Sequence, residues 1–205
     1  MAQYTKAMGK VRKYTPALLK RDGKPAFVYV YRHLQTGQVA YTQVPGVTEH
    51  HLNRQFKDPN WENKRPTMRQ DLWRPMAVAD FGSHQAACDA YDGLVYLRYQ
   101  RTHDAKKDIK GWRKTNAAGN VWQDGQYRPV YTQEALADLS TVTEAVKVPV
   151  TIHWEDLWRR GAAEAWPENA EHNVLKRWDA IYPQFLEKRL AKDAKVVEEP
   201  ETAQQ

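Results

Sequence analysis

Two hydrophobic periods divide the chain. Ala26–Tyr31 (AFVYVY) and Val39–Val44 (VAYTQV) are short β-branched and aromatic runs, with Gln35-Thr36-Gly37 between them as a turn, and together they predict a β-hairpin. Pro45-Gly46 ends the second strand. Thr48 is placed to cap a short helix reaching Phe56, with Val47, Leu52 and Phe56 near its apolar face, and Asp58-Pro59-Asn60 stops it. Asn60–Pro75, punctuated by prolines, reads as an ordered loop, and Met76–Phe81 (MAVADF) as a third strand. The period then changes to that of a helix. Ala87, Ala90, Tyr91, Leu94 and Leu97 form one stripe from Ser83 to about Arg101, with Arg98 and Arg101 at the end where the helix dipole welcomes cations.

Beyond that helix the pattern lapses. Thr102–Pro129 is irregular, with Gly111, Gly119 and Gly125 as hinges. A long loop of this kind inside a small domain is usually functional or disordered, and three large aromatics, Trp112, Trp122 and Tyr127, argue against disorder. Thr132 is positioned to cap a helix ending near Val146, helped by Gln133-Glu134 in its first turn. Val148–Trp154 reads as an edge strand, because Pro149 cannot donate to a ladder. Glu155–Arg160 reads as a helical turn, Asn169–Ala194 as a helix interrupted at Pro183, and Lys192–Gln205 as a disordered tail. No internal repeat is present. The elements predict a small α+β domain: a mostly antiparallel sheet of three to four strands packed with helices. Three parts are expected: a basic N-terminal arm (residues 1–25), a core (26–161), and a helical extension with an acidic tail (162–205).

Charge changes this picture. Residues 1–131 hold 22 Lys and Arg against 11 Asp and Glu, whereas residues 132–205 hold 9 against 14. The overall +6 therefore conceals a basic front and an acidic back. That asymmetry suits a particle with one face on a polyanion and the other toward solvent or protein. The first 21 residues carry Lys6, Lys10, Arg12, Lys13, Lys20 and Arg21 and no acid, together with Tyr4, Thr5, Tyr14 and Thr15. This composition overlaps with a mitochondrial targeting peptide. A nucleic-acid-binding arm, doubling as an uncleaved address, is the preferred reading. At 41% hydrophobic residues and a mean hydropathy of −0.82, a core is affordable. No apolar run approaches the roughly 18 residues of a membrane span. The single cysteine, Cys88, excludes an internal disulfide framework and reads as a small buried helix residue.

Cations interleaved with aromatics are the strongest chemical signal. They comprise Lys64, Arg65, Arg69 and Arg74 beside Trp61 and Trp73, and Arg98, Arg101, Lys106, Lys107, Lys110, Arg113, Lys114 and Arg128 beside Trp112, Trp122 and Tyr127. RNA is held by Lys and Arg on phosphates and by aromatic faces on unstacked bases, and these segments supply both. Trp112 is the expected RNA contact, with Trp122 and Tyr127 expected to pack on the sheet. His50-His51 point about 100° apart on a helix, and His33, His84, His103, His153 and His172 lack partners at recognised metal spacing. Glu155-Asp156 beside His153 suggest a helix N-terminus or a partner contact rather than a catalytic pair. GxxxxGK[ST], GxSxG and HExxH are all absent from the chain. No catalytic residue, metal ligand or cofactor is assigned.

Five blocks in order carry a resemblance: Tyr29–Pro45 (YVYRHLQTGQVAYTQVP), Pro59–Trp73 (PNWENKRPTMRQDLW), Leu97–Arg101 (LRYQR), Gly119–Leu139 (GNVWQDGQYRPVYTQEALADL) and Ile152–Gly161 (IHWEDLWRRG). Together they resemble the fungal mitochondrial homologous recombination protein family, a component of the mitochondrial large ribosomal subunit. The resemblance implies a mitochondrial-matrix protein packed against large-subunit ribosomal RNA and neighbouring mitochondrial ribosomal proteins, and not an enzyme. It also implies, as an alternative, ATP-independent pairing of homologous DNA, with mitochondrial DNA as the partner. It supplies no catalytic residues.

Overall fold

Strand β1 (Phe27–His33) is buried at six of its seven positions, because its two faces meet two different layers. Val28 and Val30 point into one core and Phe27, Tyr29 and Tyr31 into the other. The computed structural model describes residues 14–57, 64–104, 117–119 and 128–198, with backbone only at 128–130 and 196–198. Among these residues, helix α1 (Pro16–Arg21) precedes β1, with Thr15 capping it and Pro16 in its first turn. Strand β2 (Val39–Thr42) completes the expected hairpin, pairing Tyr29 with Thr42 through Arg32 with Val39. Helix α2 (Glu49–Gln55) follows Thr48, whose N–H donates to Nδ1 of His51 in a capping box.

Strand β3 (Trp73–Asp80) begins three residues before the predicted start. Its pairing with β1 shifts register between Val30 and Tyr31, so that Tyr31 faces Pro75 and Val30 faces Ala77. The extra residue, Met76, makes a bulge, which is how a central strand accommodates Pro75. The bulge also sets the parity of what precedes it: Arg74 lies directly across from Arg32, and Trp73 from His33.

Helix α3 (His84–Tyr99) presents the predicted stripe. Ala87, Ala90, Tyr91 and Leu94 are buried and Leu97 packs at the margin. A π-helical turn, Gln100–Asp104, follows it. Helix α4 (Arg128–Val146) starts four residues before the expected cap at Thr132, because Pro129 fits a first turn where no N–H is required. It crosses α3 closely at Gly93, where an added Cβ would stand 3.1 Å from Val142 Cγ2. Together α3 and α4 cover one face of the sheet.

Three expectations fail in the C-terminal third. Strand β4 (Val150–Trp154) is not an edge, since it pairs with β3 on one side and with β5 (Ala170–Val174) on the other. Pro149 precedes the ladder and removes no bond from it. The segment read as the start of a helix is therefore a strand, and it runs parallel to β4. Among the described residues the sheet has five strands, in the order β2-β1-β3-β4-β5, against the three to four predicted. The crossover between β4 and β5 holds two 3-10 turns, Leu157–Arg160 and Ala163–Ala165. It is pinned by Trp166, which packs edge-on against Trp154 at 5.5 Å and His172 at 4.9 Å. Helices α5 (Arg177–Ile181) and α6 (Pro183–Glu198) cover the second face through Ala180 and Leu186, and Tyr29 donates to Glu187. The interruption at Pro183 falls where the sequence places it. Much of the segment expected as a disordered tail, up to Glu198, is helical.

Candidate nucleic-acid interface

The predicted cations divide by what they touch. Lys6, Lys10, Arg12, Lys13, Lys106, Lys107, Lys110, Trp112, Arg113 and Lys114 lie outside the described residues, as do Trp122 and Tyr127. For Arg128 only the backbone, at the start of α4, is described. Lys20 and Arg21 are exposed in the last turn of α1, and Lys64 is exposed in the loop before β3. Arg65 pairs with Glu49 at 3.0 Å, and Arg69 grips Asp71 through Nε at 3.2 Å and Nη2 at 2.7 Å. Solvent-exposed pairs of this kind hold side chains only weakly.

Arg98 and Arg101 turn inward instead. The Arg98 guanidinium lies 4.1 Å over the Phe56 ring and donates to the Val39 carbonyl. Desolvation holds its pKa below the usual arginine value, and the neighbouring Arg101 pushes the same way. Arg101 forks onto buried Asp138, with Nη1 at 2.9 Å from Oδ1 and Nη2 on Oδ2, and its Nε is 3.3 Å from Glu134. These two arginines join α3 to β2 and α4. In sequence they were indistinguishable from surface cations, because their partners lie 37 and 59 residues away.

The structure gathers other arginines that the sequence scatters. Arg32 and Arg74, side by side on β1 and β3, meet Glu155 at the end of β4. Arg32 Nη2 is 3.5 Å from Oε2, Arg74 Nε is 3.4 Å from Oε1, and Arg159 Nε is 3.7 Å from Oε2. Arg159 also donates to Asp156 at 3.2 Å. Three guanidinium groups thus share two carboxylates. Burial lowers the Arg32 pKa, and the charges of Arg159 and Arg74 lower it further against the opposing pull of Glu155. Next to this cluster Trp158 is 73% exposed, with Arg159 stacked 4.5 Å from its ring centre. Of this group the sequence reading selected only Arg74. Trp158-Arg159 is also a cation beside an aromatic, but it lies in the net acidic part of the chain. A second exposed aromatic stack, Trp178 on Tyr182 at 6.0 Å and Tyr182 edge-on to Phe185 at 5.8 Å, runs along α5 and α6.

A cleft of about 750 Å³ opens between the β3 end of the sheet and α5, lined by Tyr31, Asp71, Trp73, Arg74, Arg177 and Tyr182 among others. Burial pushes the Tyr31 hydroxyl up to about 12, and the hydrogen bond from Arg69 holds Asp71 below the usual carboxylate range. Neither is poised for proton transfer near neutrality. Among the described residues no three His, Cys, Asp or Glu side chains are grouped to hold a metal ion, and no helix is long and apolar enough to cross a membrane.

This described surface is cationic and aromatic, the chemistry of a candidate nucleic-acid interface. Comparison with known proteins gives the particular family. Residues 26–108 match the family described as transcriptional regulation of mitochondrial recombination, as the resemblance implied. The chain is 95% identical over 196 residues to large ribosomal subunit protein mL67 of Yarrowia lipolytica, covering 96% of each. It is 42% identical to mL67 of Eremothecium gossypii, over 84% of this chain and 83% of that one, and 43% identical to mL67 of Candida albicans, over 88% and 75%. The chain belongs to the mL67 family of large ribosomal subunit proteins. That family is one of ribosome components and not of enzymes.

Proposed function

We propose that the chain is a structural protein of the mitochondrial large ribosomal subunit, working in the matrix, that binds ribosomal RNA with its basic front and meets neighbouring ribosomal proteins with its acidic back. The observation that carries this is near-identity over almost the whole length to a protein named for that subunit. Charge asymmetry supports the RNA contact, since phosphate neutralisation by Lys and Arg dominates such binding. The proposed RNA set comprises the arm cations Lys6, Lys10, Arg12, Lys13, Lys20 and Arg21, with Lys64, Arg65, Arg69 and Arg74. It also takes in Lys106, Lys107, Lys110, Trp112, Arg113, Lys114 and Arg128. Arg98 and Arg101 leave that set, because each is turned inward, Arg98 onto Phe56 and the Val39 carbonyl and Arg101 onto Asp138. The arm (1–25), core (26–161) and C-terminal part (162–205) are the proposed division of labour.

Sedimentation of tagged protein through a gradient of mitochondrial lysate tests the reading. Tagged protein should travel with large-subunit ribosomal RNA and move to lighter fractions after ribonuclease treatment. Protein that stays at the top of the gradient and anneals complementary DNA strands would instead point to DNA, in keeping with the recombination named in the matched family's description.

A further inference from the structure

The geometry points to a specific nucleotide-binding site at the Glu155 end of the sheet. There Arg32, Arg74 and Arg159 take an RNA phosphate, and the open face of Trp158 takes the unpaired base beside it. This inference rests on the RNA-binding reading and names a place and a form of RNA for it.

Three observations support it. The first is unmatched charge. Glu155 and Asp156 carry two negative charges against three guanidinium groups, and the contacts to Glu155 span 3.4–3.7 Å. Charge-assisted hydrogen bonds are normally near 2.7–2.9 Å, so these carboxylates hold the arginines in place without saturating them. Arg74 and Arg159 reach Glu155 through Nε, leaving their Nη donors further from it. Each guanidinium has five N–H donors in a planar fork that suits phosphate.

The second observation is alignment: the strand register sets two of the three arginines side by side. Arg32 is fixed by its strand, directly across from Arg74, so the cost of ordering two of the three cations is already met by the fold.

The third is Trp158. Tryptophan is enriched at interfaces, where its large ring is apolar and its N–H polar, and Trp158 is 73% exposed. One face is stacked by the Arg159 guanidinium. A base on the other face would complete an arginine–tryptophan–base stack, and any base can supply the ring. Duplex RNA keeps its bases stacked on one another and offers only phosphates and sugar edges, so the site selects single-stranded or bulged RNA.

The test uses the full-length chain and two fluorescently labelled RNAs of one sequence, a single-stranded 12-mer and its duplex. Trp158→Ala should weaken binding of the single strand by roughly 5- to 150-fold and that of the duplex by less than about twofold. Arg74→Gln should weaken both and reduce the salt slope of binding by about one. Both variants should keep the wild-type melting temperature within about 2 °C, since Trp158 is exposed and Arg74 partly so. Wild-type chain that binds RNA with Trp158→Ala affecting neither form overturns this site and leaves the broader reading standing. A wild-type chain that binds neither RNA overturns both. Photo-crosslinks from position 158 in the assembled subunit that reach protein rather than RNA would also overturn the site.

Discussion

Asp138 is expected to carry more of the fold than any other acidic residue. It is 3% exposed on α4, accepts both forks of Arg101, and lies 3.4 Å from the Tyr41 hydroxyl. Against desolvation, the hydrogen bond and charge of Asp138, with the charge of Glu134, hold the Arg101 pKa above the usual arginine value. Asp138→Asn keeps the shape and removes the charge, leaving a half-buried guanidinium on Glu134 alone. Breaking one partner of a buried ion pair costs roughly 3–5 kcal/mol. Glu134 remains 3.3 Å from Arg101 Nε, so part of the compensation survives and the expected cost is about 2–3 kcal/mol. For a chain of this size that corresponds to a fall in Tm of roughly 4–12 °C. Denaturant unfolding of wild type, Asp138→Asn, Arg101→Gln and the double variant measures it. Arg101→Gln should cost less in the Asp138→Asn background, with a coupling of about 1–3 kcal/mol. An additive cycle would refute the assignment of Arg101 to the interior. So would an Asp138→Asn variant that binds RNA more tightly, because Arg101 would then be an RNA ligand held back by its carboxylate.

Two further outcomes follow from the core. Burial depresses His51 to about 4, with the charges of His50 and Arg54 adding to it, so the fold binds the neutral ring. Its contribution, about 3 kcal/mol, is complete above the unfolded value near 6.5 and is lost as pH falls toward 4; unfolding free energies from pH 7 to 4 should show this slope largely removed in His51→Gln and reduced only slightly in His50→Gln. Leu186, fully buried on α6 against the sheet, should cost about 2–5 kcal/mol as Leu186→Ala, and limited proteolysis should then cut within α6 first; wild-type protease resistance would show that Tyr29–Glu187 and Arg189–Asp179 suffice to hold the helix.

The hairpin, the α3 stripe and the break at Pro183 were legible in the sequence because each is set by neighbours within a few residues. Alternation, a 3.6-residue stripe and a proline need no knowledge of distant partners. The charge division and the family were legible for the same reason, since both are sums or matches along the chain. Strand β5 was not legible. AEHNV has no apolar alternation, and it becomes a strand because β4 presents an open edge and Trp166 fastens the crossover against it.

Tertiary structure also decided which arginines are used by the fold and which face outward. Local sequence marks Arg98, Arg101 and Arg74 alike as cations near aromatics. Whether a guanidinium is internal depends on a carboxylate or carbonyl brought close by folding, as Asp138 is to Arg101 and Val39 is to Arg98. The Glu155 cluster is the same effect in reverse. Strand register and the Met76 bulge place Arg32 beside Arg74, and β4 delivers Glu155, Trp158 and Arg159 from more than 80 residues further on. Electrostatic energy depends on distance in space, and only the folded chain converts separation in sequence into that distance.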